Sequence, residues 1–310
     1  MVVRLPVTLP PVVRDLVPGV VSGPDVDRRG RRVLVTGASG TFGREIARQL
    51  TLRGGRVVGL DVAPRPDDAI EVLACDITDD DSVTAGVGQA VDLLGGLDVL
   101  VNNAGIGGPA PAEMAPGAEV HRQLEINLLG TWRVTAAARD ALVASTGRVV
   151  VVASRAAVFQ LPIAAAYGVS KRGVVAYADA LRLELAPHVS VSTVYPSMVR
   201  SPIHDSTKRA GLSLEGVSHF ESLDGVVDAV LAASLARTAP RDVATSNRGI
   251  AEFLLARHLP ALLDVIVART VQGRLDSGAF DDAALASGMV QRHRAAPQGP
   301  PRTRRRMVRA

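Results

Sequence analysis

The sequence predicts an α/β protein in which a doubly wound, Rossmann-like parallel sheet carries helices on both faces. Three observations support this fold class. Short apolar runs alternate with helical patterns along residues 30–250. The runs are continuously apolar, which is typical of strands buried on both faces. No repeat of fixed period interrupts the alternation. We therefore expect a single domain with a C-terminal helical extension.

Six strands are predicted, each followed by a helix or a loop. The first strand, Val33 to Val35, leads through a glycine-rich turn into a helix from about Thr41 to Arg53. The other strands are predicted at residues 57–61, 72–75, 99–101, 148–153 and 189–195. The other helices are predicted to begin near residue 78 and to cover about 120–144, 167–185, 222–236 and 260–271.

The predicted helix at 260–271 carries an apolar stripe. It comprises Leu262, Leu263, Ile266 and Val267. Core packing, a lid on a substrate pocket and an interfacial membrane helix are three interpretations of this stripe. Core or lid is favoured, because Arg269 is the only basic residue of the segment.

Four segments are expected along the chain. They are an N-terminal extension (1–30), the main domain (31–250) with a substrate loop (197–220), a helical extension (251–290) and a basic tail (291–310) that we expect to be disordered. The last nine residues hold five arginines, so the net charge of +4 is largely a property of the tail. No aromatic residue interleaves these arginines, and no nucleic-acid partner is expected.

The composition excludes several classes of protein. With 47% hydrophobic and 21% charged residues, the chain is globular rather than disordered. A single cysteine, Cys75, excludes a disulfide framework and a cysteine-built zinc site, and no metal is expected. No apolar run is long enough to cross a membrane. Prolines and charges interrupt any N-terminal secretory signal, so we expect a cytoplasmic protein, with weak peripheral membrane contact left open.

A glycine-rich turn opens the first helix and indicates a nucleotide site. It reads Thr36-Gly37-Ala38-Ser39-Gly40-Thr41-Phe42-Gly43. Glycines there allow the backbone to approach a pyrophosphate, to which a helix N-terminus offers free N–H groups. Asp61 ends the second strand, where a carboxylate suits the adenosine ribose and favours NAD over NADP, although Arg65 nearby weakens that preference. The alternative is an ordinary strand–turn–helix in which Asp61 caps a turn.

Asparagines also mark a predicted strand end. Asn102-Asn103-Ala104-Gly105 follows the fourth strand, at the edge where ligands bind in open α/β sheets. A plain loop of asparagine and glycine is the alternative.

Tyr167 and Lys171 are predicted to share one face of a helix, since they are four residues apart. A neighbouring cation favours the phenolate and is expected to lower the tyrosine pKa, which would make Tyr167 a general acid–base. Lys171 and Lys208 are the only lysines among 35 basic residues, so an ordinary surface pair would more often use arginine. Ser154 precedes Tyr167 by 13 residues and can hydrogen-bond a substrate oxygen.

Together these residues resemble the short-chain dehydrogenase/reductase family, in its compact single-domain branch, over about residues 30–250. The spacing of Asn127, Ser154, Tyr167 and Lys171 carries the resemblance most specifically. The resemblance implies that Tyr167 is the catalytic acid–base, that Lys171 lowers its pKa and holds the nicotinamide ribose, and that Ser154 orients the substrate oxygen. It implies that Asn127 holds a water in a proton relay.

The resemblance also implies a binding site for NAD(H) or NADP(H). Its residues would be Gly37, Ser39, Gly40, Thr41, Phe42 and Gly43 at the diphosphate, Asp61 at the ribose, Asp76 and Ile77 at the adenine, Asn103, Ala104 and Gly105 along the wall, Tyr167 and Lys171 at the nicotinamide ribose, and Pro196, Val199 and Ser201 at the nicotinamide amide.

Two positions depart from the pattern of the compact branch. Thr41 stands where the second glycine is usual, and the spacing of Gly37, Gly40 and Gly43 is common in the larger branch that includes sugar-nucleotide epimerases. Ser197 stands where a glycine is usual after Pro196. An epimerase or dehydratase that recycles its cofactor, or a non-catalytic cofactor-binding protein, is therefore the alternative to an alcohol/ketone oxidoreductase.

The segment after the fifth strand suggests the substrate. Residues 155–163 are mostly apolar, and no arginine cluster suggests a phosphate or a sugar nucleotide. We expect a hydrophobic alcohol or ketone; the alternative is that these side chains are simply core. The resemblance further implies a homodimer or homotetramer, built on the helices at 120–144 and 167–186.

Overall fold

A computed structural model of the chain describes residues 30–212 and 220–295, and within them a seven-stranded sheet of order β3-β2-β1-β4-β5-β6-β7. The strands are β1 (Arg32–Thr36), β2 (Arg56–Asp61), β3 (Glu71–Ala74), β4 (Val99–Asn102), β5 (Arg148–Val152), β6 (Ser190–Tyr195) and β7 (Asp242–Ala244). Every neighbouring pair is parallel, so the carboxyl ends of the strands lie along one edge. The predicted fold class is confirmed.

Helices cover both faces of the sheet. The α-helices of the described residues are α1 (Thr41–Leu52), α2 (Asp80–Leu94), α3 (Ala118–Leu124), α4 (Thr131–Ala144), α5 (Ala165–Glu184), α6 (Asp205–Arg209), α7 (Leu223–Leu235), α8 (Asn247–His258), α9 (Pro260–Asp276) and α10 (Ser287–Ala295). One core lies between the sheet and α2, α4 and α5, and the other between the sheet and α1 and α7. Successive β1 residues contribute to opposite cores: Leu34 to the first, Val33 and Val35 to the second. This explains why the strand sequences are apolar without alternation.

The sheet extends further along the chain than the sequence predicts. β7 pairs with β6, from Thr193 opposite Asp242 to Tyr195 opposite Ala244. α8 crosses the predicted boundary at residue 250, and its Phe253 is buried with its ring 5.0 Å from that of Tyr195. The Tyr195 hydroxyl donates to Asp242 at 2.8 Å. Residues on both sides of position 250 therefore contribute to one core.

The helix expected at 120–144 is not a continuous α-helix. A π-helical turn, Glu125–Gly130, separates α3 from α4. Such a turn inserts one extra residue into the helical hydrogen-bond ladder and is frequent at functional sites. Asn127 lies within it.

α9 extends past the predicted end at 271 to Asp276, and none of its residues is buried. The core-packing interpretation of its stripe is therefore wrong. Leu263 and Val267 are half-buried, whereas Leu262 and Ile266 are 49% and 46% exposed. No helix in the described ranges is long and apolar enough to cross a membrane. Residues 1–29 of the predicted N-terminal extension, 213–219 of the substrate loop and 296–310 of the predicted tail lie outside those ranges. Residues 291–295, which we expected to belong to a disordered tail, form the end of α10.

Candidate active site

Two connected cavities lie at the carboxyl edge of the sheet. The outer cleft has a volume of about 820 Å³ and the inner pocket one of about 110 Å³. They share the lining residues Phe42, Asn103, Gly105, Gly107, Ser201 and Ile203. An elongated ligand in the cleft can thus reach a second molecule in the pocket.

The predicted cofactor residues divide between these cavities. Those along the cleft are Gly37, Gly40, Thr41, Phe42, Asp61, Asp76, Ile77, Asn103, Ala104, Gly105 and Ser201. Those along the pocket include Tyr167, Lys171, Pro196 and Val199. Ser39, Gly43 and Asn127 are among the lining residues of neither cavity. The structure thus brings most of the predicted set together and places these three behind it.

The N-terminus of α1 faces the cleft without a capping side chain. Gly40 is the cap residue, and the first turn of α1 contains no acidic residue. By contrast, Asp79 caps α2 by accepting from the Ser82 N–H at 2.7 Å. The first N–H groups of a helix have no partner within the helix, so those of α1 are available to an anion in the cleft.

The glycine turn is held against β4 by asparagine and threonine. The side-chain amide of Asn103 donates to the Thr36 carbonyl at 3.0 Å. The backbone N–H groups of Asn103 and Ala104 both donate to the Thr36 hydroxyl at 3.0 Å. Gly37 has φ +64°, and a Cβ there would lie 2.9 Å from Ala104 Cα. A side chain at position 37 would therefore separate the two strand ends that form the floor of the cleft.

Asp61 lies at the end of β2, beside the same turn. Its carboxylate accepts from the N–H groups of Ser39 and Ala63, each at 3.0 Å. The Ser39 hydroxyl donates to Asp68 at 2.5 Å, which accounts for the position of Ser39 behind the turn. The Asp61 carboxylate thus faces the part of the cleft beside the uncapped N-terminus of α1, and Arg65 lines the same cleft.

Asp76 and Ile77 form the opposite wall of the cleft, after β3. The Asp76 carboxylate accepts from the backbone N–H of Thr78 at 2.9 Å and from its hydroxyl at 2.7 Å. These hydrogen bonds lower the pKa of Asp76 below its ordinary value. Ile77 is buried, and a Cβ at Gly130 would lie 2.7 Å from its side chain, so the π-helical turn packs directly behind this wall.

Ser154, Tyr167 and Lys171 line the inner pocket. Ser154 follows β5 and its hydroxyl accepts from the Ala156 N–H at 3.1 Å. Tyr167 and Lys171 lie one turn apart on α5, with Lys171 Nζ 6.0 Å from the centroid of the Tyr167 ring. Lys171 is 4% exposed and donates to the Val152 carbonyl at 3.0 Å. The spacing predicted from sequence does place the phenol and the ammonium in one pocket.

The electrostatics of this pair differ from the expectation. Burial raises the pKa of Tyr167, and the hydrogen bond with Ser154 offsets only part of that increase. Burial also lowers the pKa of Lys171 to about 8. The predicted lowering of the Tyr167 pKa by Lys171 is therefore wrong for this structure, because loss of solvation exceeds any effect of a cation 6.0 Å from the ring centroid. Tyr167 is a neutral phenol near pH 7.

Asn127 acts from behind the pocket. Its side chain accepts from the Ile106 N–H at 2.8 Å and donates to the Ile106 carbonyl and to the Ser170 hydroxyl, each at 2.9 Å. A Cβ at Gly105 would lie 3.2 Å from both Asn127 Oδ1 and Lys171 Nζ. Asn127 thus fixes the loop after β4 against α5, and a side chain at position 105 would require Asn127 and Lys171 to shift by a few tenths of an ångström.

Arg155 follows Ser154 and was not predicted as a site residue. It lines the inner pocket although it is only 3% exposed, and it forms an ion pair with Glu252 of α8. Its guanidinium lies 5.8 Å from the centroid of the Phe159 ring. Burial lowers the pKa of Arg155 from its ordinary value. The partners are 97 residues apart, and no local pattern in the sequence signals such a pair.

Glu221 comes directly after the substrate loop, and its carboxylate accepts three hydrogen bonds. It accepts from the Ser197 N–H at 3.1 Å, from the Ser246 hydroxyl at 2.5 Å and from the Thr245 hydroxyl. Burial raises the pKa of Glu221, but these hydrogen bonds together lower it by more, so the net pKa is below the ordinary value. These contacts join the first residue of the substrate loop and the residue after its end to the segment that follows β7. No residue of that segment lines the inner pocket.

Comparison with known proteins assigns the family. The model of the short chain dehydrogenases matches residues 31–211, more than half of the chain. The chain therefore belongs to the short-chain dehydrogenase/reductase family of oxidoreductases.

Relatives support this assignment. A 3-ketodihydrosphingosine reductase of Bacteroides thetaiotaomicron is 31% identical over 193 residues, 61% of this chain and 72% of that protein. A short chain dehydrogenase from Burkholderia cenocepacia in complex with NADP is 25% identical, with a TM-score of 0.64, covering 78% of this chain and 98% of that one. A 3-ketoacyl-(acyl-carrier-protein) reductase from Brucella melitensis complexed with NADH is 27% identical, with a TM-score of 0.63, covering 72% and 100%.

Proposed function

We propose that the protein is an NAD(P)-dependent dehydrogenase/reductase that interconverts a hydrophobic secondary alcohol and its ketone, with Tyr167 as the acid–base. One observation carries the proposal: Ser154, Tyr167 and Lys171 line a single inner pocket that opens into the long cleft beside Gly105. A serine hydroxyl, a neutral phenol and a buried cation around one point suit a carbonyl oxygen that receives a proton.

The cleft fits a dinucleotide in two respects. The uncapped first turn of α1 offers N–H groups to a pyrophosphate, and Gly37 lets the turn lie close against the loop after β4 at the floor of the cleft. When bound, the nicotinamide supplies or accepts a hydride. Asp61 would hold the adenosine ribose, and its negative charge would oppose a 2′-phosphate, so we propose a preference for NAD. Asp76 and Ile77 would contact the adenine, and Lys171 the nicotinamide ribose.

The proton chemistry follows from the pKa shifts. In ketone reduction, Tyr167 would donate its hydroxyl proton to the carbonyl oxygen, and Ser154 would hold that oxygen by a hydrogen bond. Because burial raises the pKa of Tyr167, the proton is present throughout the neutral range. Lys171 then stabilises the phenolate that remains. In alcohol oxidation the same groups act in reverse, so that direction is expected to be favoured by a higher pH.

The inner pocket has a largely apolar lining that supports a hydrophobic substrate. Among its residues are Phe159, Leu161, Met198, Val199 and Ile203. Arg155 also reaches the pocket, but its charge is matched by Glu252, so it provides a weak site for a phosphate or a carboxylate.

Turnover assays with the purified protein test this function. NADH and NADPH are each supplied with aliphatic and aromatic ketones, and NAD and NADP with the matching alcohols and with polyols. Net production of NADH from a hydrophobic alcohol supports the proposal. Turnover of a sugar nucleotide without net change in NADH would instead establish an epimerase or dehydratase, for which the Gly37–Gly40–Gly43 spacing is the supporting feature. Binding of NADH with no turnover in either direction would establish a binding protein.

We also propose that the protein is a homodimer or homotetramer in which α4 and α5 face a second copy. Trp132 is 53% exposed and its ring stacks on Tyr177 at 4.5 Å between centroids. Leu129 and Val169 are 39% and 56% exposed. Large apolar side chains exposed on adjoining elements are typical of an interface. Light scattering on the wild type and Trp132→Asp measures the expected shift to monomer.

A further inference from the structure

A second groove lies beside the inner pocket, between α9 and the loop that follows β5. Its volume is about 400 Å³. Its apolar lining comes from the loop, from α9 and from α10, and comprises Phe159, Pro162, Leu263, Val267, Ala268, Val271, Leu275 and Met289. Leu263, Val267, Val271 and Leu275 are spaced by four, so they form one stripe along the helix that faces the loop.

The stripe is apolar but incompletely covered by the rest of the chain. Leu263, Val267, Val271 and Leu275 are all half-buried, and α9 has no fully buried residue. Gln160 and Gln272 add polar groups. Among the described residues that line the groove, Asp264 alone carries a charge. An apolar floor with a neutral or negative rim suits an aliphatic chain and disfavours one that ends in a carboxylate.

Phe159 joins this groove to the site of the chemistry. It lines the inner pocket together with Ser154 and Tyr167, and it also lines the groove. The guanidinium of Arg155 lies 5.8 Å from the centroid of its ring. The inner pocket and the groove therefore meet at the Phe159 side chain, which an aliphatic chain bound at Ser154 and Tyr167 must pass to reach Val267.

We propose that the groove binds the aliphatic tail of the substrate, and that the enzyme therefore acts on long-chain secondary alcohols or ketones rather than on compact ones. This inference rests on the proposed function. α9 lies beyond residues 31–211 that match the family model, so this specificity comes from the chain's own C-terminal segment. The outward side chains of α9, such as Leu262 and Ile266, belong to a different face.

A chain-length series tests the groove. We would measure kcat/KM with NADH for methyl ketones from 2-butanone to 2-tetradecanone. The value is expected to rise by up to about fourfold per added methylene until the groove is filled. Two variants then change the groove: Val267→Trp fills it, and Val267→Asp places a charge on its floor. Each is expected to lower the ratio of kcat/KM for the long ketone to that for the short ketone by at least about tenfold.

The matched control is Val265→Asp, since Val265 lies two residues away and is 45% exposed on the outward side. It should leave the ratio unchanged. Circular dichroism and NADH affinity show that each variant is folded. If short and long ketones react equally well, or if neither Val267 variant changes the ratio, the groove inference is overturned while the proposed function stands. If no ketone or alcohol reacts in the wild type, the proposed function itself fails.

Binding of a pyrene-labelled long-chain alcohol reports on the groove without any turnover. Fluorescence titration is expected to give saturable binding to the wild type and to Val265→Asp. The affinity should be at least about tenfold weaker for Val267→Asp. Equal affinities for all three proteins would overturn the inference.

Discussion

The ammonium of Lys171 donates a hydrogen bond to the Val152 carbonyl at 3.0 Å, which joins α5 to the last residue of β5. This contact holds a positive charge in a place that water scarcely reaches, and burial lowers the Lys171 pKa to about 8. A charge buried at such a cost is more typical of a functional site than of a structural one. The relationship can be tested through stability as well as through activity.

Lys171→Met is expected to change the pH dependence of stability. Between about pH 8 and pH 10.5 the unfolded wild type binds a proton that the folded protein has released, so its free energy of unfolding rises with pH by about 3 kcal/mol over that window. The variant should lack this rise and should be the more stable protein at pH 7. Urea unfolding at a series of pH values measures both effects. Lys208→Met, at the exposed second lysine, should retain the wild-type slope, and a retained slope in Lys171→Met would contradict the assignment.

Tyr167→Phe is expected to abolish most turnover while leaving the binding of NADH intact. Loss of a general acid–base lowers kcat by about 10²–10⁴-fold, and the phenyl ring keeps the shape of the side chain. Steady-state kinetics and a fluorescence titration with NADH measure the two quantities. Tyr177→Phe is the control, because Tyr177 is also a buried tyrosine on α5 but packs against Trp132. Unchanged turnover in Tyr167→Phe would reject Tyr167 as the proton donor.

Asp61→Asn is expected to relax the preference for NAD. The asparagine oxygen can still accept from the Ser39 N–H, so the turn is retained, whereas the negative charge that opposes a 2′-phosphate is removed. We expect the ratio of kcat/KM for NADPH to that for NADH to rise by at least about tenfold, a change equivalent to ~1.4 kcal/mol. Asp92→Asn removes a charge from the exposed end of α2 and should leave the ratio unchanged. An unaltered ratio in Asp61→Asn would assign cofactor selection to other residues.

Two glycines are expected to respond in opposite ways to alanine. A Cβ at Gly43 would lie 2.7 Å from Ala38 Cα and 2.8 Å from the Gly37 carbonyl carbon, and these backbone atoms have no room to move. Gly43→Ala should lower the free energy of unfolding by about 1–3 kcal/mol and weaken NADH binding. A Cβ at Gly88 on α2 meets nothing within 4 Å, so Gly88→Ala should raise the free energy by about 0.5–1 kcal/mol. Urea unfolding of both variants compares the two, and equal effects would show that the turn is not closely packed.

The sequence predicted the sheet and most of the site because both depend on local patterns. Buried parallel strands are continuous apolar runs, and the glycine turn, the asparagines and the Tyr167–Lys171 spacing are each visible within a few residues. β7 was missed because a strand of three residues that begins with Asp242 has no apolar run to detect. The π-helical turn at Asn127 was missed because a shift in backbone hydrogen bonding leaves the apolar spacing of a helix almost unchanged.

Properties of the assembled site could not be predicted in the same way. The pKa of Tyr167 depends on how completely the fold removes water from the phenol, and helical spacing alone gives only the neighbouring cation. The Arg155–Glu252 pair joins residues that only the tertiary structure brings together. For α9, the apolar stripe was visible in the sequence. Which of its residues face the groove, as Val267 does, and which face solvent, as Ile266 does, depends on how the helix is rotated about its axis.

β7 protects the molecule as well as completing the sheet. It occupies the side of β6 that would otherwise present free N–H and C=O groups at Thr193, Val194 and Tyr195 to other molecules. A protein shortened to the family match at residue 211 would keep the catalytic candidates and lose both β7 and the α7 helix that covers one core. Such a fragment would be prone to aggregate strand against strand, so attempts to define a minimal enzyme should retain the chain at least through α8.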